Sequence, residues 1–113
     1  MARGDVLALR RAIGFLPGAK LDRFAVVQSD RLARVLDTVI AVPLDEARPE
    51  YAGIPGIVPV GSREAGTKRD QVALVTQLTS LPGDRFEPSA VGKLRSTTLA
   101  RIAEVTKLVL ELD

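Results

Sequence analysis

The chain is predicted to form one mainly β domain, a small barrel or sandwich of antiparallel strands followed by a C-terminal helix. Three observations carry this. Short runs rich in Val, Ile, Leu and Phe recur from Asp5 to Leu94, divided by Pro, Gly and Asp turn signals. A sustained apolar repeat at helical spacing begins only after Ser96. The 113 residues are 46% apolar, enough for one core, with no repeat, low-complexity tract or linker, so residues 1–113 read as a single domain.

Asp5 to Leu9 reads as the first strand, and Arg10 to Asp22, with Gly14, Pro17 and Gly18, as a long loop. Phe15 and Leu16 in that loop either fold back on the core or present an exposed contact. Phe24 to Gln28 is the second strand. Ser29 then caps a helical turn over Arg31 to Leu36, with Asp30 favourably placed at its N-terminus. Thr38 to Leu44 is a central strand by its apolar content, and Asp45 to Ile54 a polar loop. Ile57 to Val60 is short, and Pro59 inside it marks an edge. Gln71 to Val75 reads as a buried strand, Thr76 to Leu81 as its continuation or a helical turn, and Ala90 to Leu94 as a last short strand. Ser96 is expected to cap the helix, whose stripe comprises Leu99, Ile102, Ala103, Val105 or Thr106, and Val109 to Leu112.

Composition narrows the chemistry. With no cysteine and no histidine, disulfides, zinc sites built from those residues, and Cys–His or Ser–His catalysis are excluded. Acid–base work falls to carboxylates, lysines, the tyrosine or arginine. No apolar run reaches the ~20 residues of a membrane span, and the N-terminus does not read as a signal peptide, so a cytoplasmic protein is expected. Charge is uneven despite a net of +2: seven basic residues against three acids up to Arg34, then four acids against one arginine from Asp37 to Glu50. Such a basic half suits a polyanion or an acidic peptide, with an ordinary solvated surface as the alternative.

Five pieces in order, Arg3 to Leu9, Arg23 to Asp30, Thr38 to Leu44, Gln77 to Arg85 and Ser96 to Leu112, resemble the MazF/PemK family of bacterial toxins. The likeness lies in the series: Arg3-Gly4-Asp5, then Arg23-Phe24-Ala25-Val26-Val27, then Val39-Ile40-Ala41-Val42-Pro43-Leu44. It implies an SH3-like barrel of the MazF, Kid and CcdB kind. It also implies a toxin of a type II toxin–antitoxin pair that cuts single-stranded RNA at a short sequence, using neither metal nor other cofactor. In that reaction the ribose 2′-hydroxyl attacks the adjacent phosphate, leaving 2′,3′-cyclic phosphate and 5′-hydroxyl ends. The implied partners are RNA, a second copy of the chain, and a cognate antitoxin with an acidic C-terminal tail; no membrane is implied.

By position Arg23 matches the family's catalytic arginine, whose planar fork can hold two phosphate oxygens. The bland reading is a strand-end arginine paired with Asp22. Phe24 stands where the family has proline, and either alters strand entry or offers a face for base stacking. Asp45 stands at the family's threonine and is either a different general base or a mark of weakened activity. Gln77 is retained, to bond a base or the domain's own backbone. Arg10, Arg11 and Lys20 are candidate phosphate contacts or solvated charges. The arginine and aspartate of Kid-like members correspond to Leu74 and Thr76, so that version of the mechanism does not transfer. Gly14 to Asp22 also differs from the family's loop, so no cleavage sequence carries over. The rival readings are a decayed member that only binds antitoxin or RNA, and a CcdB-like gyrase inhibitor. The absence of tryptophan counts against the latter.

Overall fold

The computed structural model describes residues 1–16 and 19–111, with side-chain surroundings for 1–11 and 21–111. Strands β1 (Asp5–Leu16) and β2 (Ala19–Val26) form an antiparallel hairpin. The stretch Arg10 to Asp22, expected as a loop, is therefore mostly strand. Its register slips between Ala8 and Ile13 and again between Gly14 and Leu16, so Gly14 sits at a bulge rather than in a turn. The question posed by Phe15 and Leu16 falls outside the described side chains.

Ser29 caps α1 (Asp30–Ala33), its hydroxyl accepting the Leu32 N–H at 3.3 Å, as the sequence suggested. Strand β3 (Thr38–Glu46) follows, then a 3-10 turn over Pro49–Tyr51, β4 (Ile57–Val60), α2 (Ser62–Ala65) and β5 (Gln71–Leu74). A 3-10 turn at Val75–Gln77 separates β5 from β6 (Thr79–Pro82), so Thr76 to Leu81 is turn first and strand second. The two-residue β7 (Gly92–Lys93) and α3 (Ser96–Leu110) complete the chain.

The seven strands of the described residues join one antiparallel sheet in the order β4-β5-β3-β2-β1-β7, with β6 also on β3. β3 is the spine. One edge pairs with β2, and the other pairs with β6 along its first half and β5 along its second. β4 lies at the edge, as Pro59 predicts. The sheet forms a half-barrel with apolar residues on both of its faces. Val6, Ala25, Val42 and Leu44 look to one core, while Leu7, Phe24, Val26, Val39 and Ala41 look to another. α3 closes the first core with Leu99, Ile102 and Val105 at helical spacing. No helix among the described residues is long and apolar enough to cross a membrane.

The start of α3 corrects one expectation. Arg95, not Ser96, is its N-cap, and the Arg95 side chain caps nothing. Glu64 of α2 does the work from outside. Its carboxylate, in a residue only 6% exposed, accepts the Arg95 N–H at 2.8 Å and the Gly61 N–H at 3.1 Å. It also bonds the Thr98 side chain. One buried acid thus ties the short helix to the long one. The approach of α2 to β7 needs glycine on both sides. A Cβ on Gly92 would lie 2.1 Å from the Glu64 carbonyl oxygen, and one on Gly66, at φ +68°, 2.0 Å from that of Val91.

Candidate functional site

Arg23 leaves β2 between Ala8 of β1 and Leu44 of β3. Its Nη1 is shut away from water and has no hydrogen-bond partner among the described residues. A guanidinium keeps its charge at any physiological pH, and an unpaired buried N–H costs about 1–3 kcal/mol. The sheet therefore leaves one nitrogen of this cation without a protein partner, a donor that an oxyanion brought to it can satisfy. Among the described residues no ion pair with Asp22 satisfies this arginine.

Asp45 is near Arg23 in register but does not pair with it. Leu44 is the cross-strand partner of Arg23, and successive strand residues point to opposite faces. Asp45 instead belongs to a cluster built by the turn that follows β3. Its side chain is 11% exposed, and Oδ1 accepts the Glu46 N–H at 2.8 Å. Oδ2 accepts Nη2 of Arg48 at 2.5 Å and the Tyr51 hydroxyl at 2.6 Å. The Arg48 guanidinium lies 5.8 Å from the centre of the Tyr51 ring. Burial, the hydrogen bond to Asp45 and that carboxylate's charge push the Tyr51 phenol up to about 12. The charge of Asp45 likewise raises the pKa of the Arg48 guanidinium. Both oxygens of the Asp45 carboxylate are engaged within its own turn, so the geometry does not favour Asp45 as a general base.

The remaining candidates divide. Phe24 is fully buried and meets Phe86 edge-on at 5.8 Å, so it offers no stacking face: size and apolar character took it into the core. Arg10 is exposed, donates through Nε to the Asp84 carbonyl at 3.1 Å and faces Glu87 at 3.6 Å. Arg11 is exposed, and the Lys20 side chain lies outside those described. Gln77 is half-buried on the turn after β5, across β3 from Arg23. Leu74 is buried and Thr76 exposed. Sequence reasoning passed over Arg48 and Tyr51. Their nearness to Asp45, three and six residues on in the turn that follows β3, is the signal that marks them.

In fold, the chain is a MazF-like half-barrel. It superposes on an endoribonuclease solved with its cognate antitoxin from a mycobacterial species, with TM-score 0.77 and 19% identity over 100% of this chain and 97% of the other. MazF in a MazE–MazF complex from Deinococcus radiodurans gives 0.76 and 17% over 100% and 97%. The Mycobacterium tuberculosis toxin MazF-mt6 gives 0.73 and 15% over 95% and 97%. No curated protein matches the sequence. Residues 4–110 match the family model of the PemK-like, MazF-like toxin of type II toxin–antitoxin systems, and the chain belongs to that family.

Proposed function

We propose that this toxin is an endoribonuclease that cuts single-stranded RNA at a short sequence, with Arg23 as the residue that stabilises the transition state. The observation that carries the reading is the buried, unsatisfied Nη1 of Arg23. In the scheme the 2′-hydroxyl oxygen attacks the neighbouring phosphorus, the bond from phosphorus to the 5′-oxygen breaks, and negative charge grows on the non-bridging oxygens. Arg23 supplies the hydrogen bonds that grow stronger as this charge develops. The 2′-proton passes to a solvent base and the leaving 5′-oxygen takes one from water, so the scheme uses no metal. The products are a 2′,3′-cyclic phosphate and a 5′-hydroxyl. Asp45 acts as a positioning residue for the turn beside the site.

The same reading gives the toxin a cognate antitoxin with an acidic C-terminal tail, a cytoplasmic setting and a homodimeric state. Exposed Arg11, Arg31 and Arg34 suit the tail. Leu108 at 72% exposure and Leu110 at 57% give α3 an apolar end suited to a second copy.

The test is incubation of the purified protein with a defined RNA in EDTA, alongside Arg23→Ala. Cleavage with 5′-hydroxyl ends that falls by about 10²–10³ in the variant supports the reading. Full activity in Arg23→Ala removes the catalytic assignment. The occupied carboxylate of Asp45 favours one other reading, a decayed module. Absence of cleavage together with retained antitoxin binding would establish that instead.

A further inference from the structure

Beside the Asp45–Arg48–Tyr51 cluster lies a hollow of about 310 Å³ that the cleavage scheme does not use. Tyr51, Ile54, Ile57, Pro59 and Val72 line it, and Arg48 forms one wall. We propose that this hollow seats an unpaired RNA base next to the phosphate held at Arg23, a subsite that rests on the ribonuclease reading above.

The argument begins with the cost of the arrangement. Arg48 is a long side chain on a turn, 45% exposed, yet Asp45 holds it beside an aromatic ring. Fixing such a chain at a half-open surface costs entropy. Only Nη2 is bonded among the described residues, so the plane of the guanidinium stays available. Guanidinium and phenol together present flat, polarisable surfaces above an apolar floor, and such surfaces stack unpaired bases. A hollow near 300 Å³ is of small-ligand size.

Electrostatics selects a base over a phosphate. Asp45 cancels the charge of Arg48, and Glu50 is close enough to act on both Arg48 and Tyr51. A phosphate would gain little there, whereas stacking needs no net positive charge. Position links the two: Asp45 follows Leu44, the register partner of Arg23, so the turn that lines the hollow begins within a few residues of the position beside Arg23. The role of Asp45 becomes clear in this setting. It fixes the Arg48–Tyr51 platform and takes no proton from the substrate.

The test uses a randomised single-stranded RNA pool with sequencing of cut ends, and a 2′-deoxy analogue of the preferred site for equilibrium binding. Arg48→Ala and Tyr51→Ala should raise Kd and KM by about fivefold to tenfold, the lower part of the range for one lost stacking contact, with kcat little changed. Preference should flatten at a single position beside the cut. Tyr51→Phe, which keeps the ring, should lose less than Tyr51→Ala. Asp45→Asn should resemble Arg48→Ala and keep the shape of the pH profile. Unchanged Kd and preference in Arg48→Ala overturn the subsite, as does equal relaxation at every position. Arg48 is exposed enough for that variant to fold, so it decides the matter even if Tyr51→Ala does not fold. Wild type that cuts no RNA overturns the ribonuclease reading and this subsite with it. Wild-type cleavage with unaffected variants overturns the subsite alone.

Discussion

Replacement of Glu64 by alanine should be among the most damaging side-chain changes outside the apolar cores. The variant leaves the Arg95 and Gly61 N–H groups and the Thr98 hydroxyl without their shared acceptor. An orphaned buried donor costs about 1–3 kcal/mol. Both N–H groups are only partly buried and water can reach them in part, so the low end applies. About 3 kcal/mol in all is expected, a large share of the roughly 5–15 kcal/mol that holds a domain. At about 4 °C per kcal/mol for a domain of this size, Tm should fall by about 12 °C. Glu64→Gln keeps one acceptor and should fall about half as far. Circular dichroism melts at neutral pH provide the measurement, and a drop below about 3 °C for Glu64→Ala would refute the capping role. Acid supplies a second check. Burial pushes the Glu64 carboxyl up, but bonds from Thr98, Arg95 and Gly61 with the Arg95 charge outweigh it, so its pKa lies below the ordinary 4.5. A depressed folded pKa means the stabilisation is complete above 4.5 and lost as pH falls through the folded value. The gap between wild type and Glu64→Gln should therefore narrow below pH 4.5.

Other outcomes follow from the same geometry. Arg23→Ala should melt at or slightly above wild type, by up to ~1 kcal/mol, because it removes an unsatisfied buried donor; a large drop would show that the arginine is structural. Phe24→Ala should lose about 3–5 kcal/mol in denaturant titration, through the cavity left against Phe86. An effect on RNA affinity with unchanged stability would contradict its core placement. Tyr51 is the sole tyrosine, so phenolate absorbance reports it alone. It should titrate near 12 against an ordinary 10.0, and Asp45→Asn should bring it down. Because the folded value is raised, this contribution to stability is complete below pH 10 and lost between about 10 and 12. Gly92→Ala should destabilise strongly, since its Cβ meets backbone rather than a movable side chain, and a wild-type melt would argue against the close approach of α2 and β7.

The sequence by itself determined the fold class, the central place of β3, the edge position of β4, the Ser29 cap and the Leu99–Ile102–Val105 part of α3's packing face, whereas Val109 and Leu110, expected on the same stripe, are exposed. Each depends on local chemistry: β-branched runs, a proline without an N–H, a hydroxyl beside free amides, apolar residues at helical spacing. It also carried the ordered series of motifs by which the family was recognised, and it singled out Arg23. Tertiary structure decided the rest. Gly14 and Pro17 read locally as loop, but pairing between β1 and β2 extends the hairpin and reduces Gly14 to a bulge. Phe24 beside Arg23 reads equally as a stacking face or as core, and only the position of Phe86 separates the two. Asp45 reads as a free carboxylate until Arg48 and Tyr51 fold back on it, and Glu64 reads as a surface acid until α3 arrives above it. Hydrogen-bond partners and burial depend on where distant chain segments meet, and local composition does not encode that meeting.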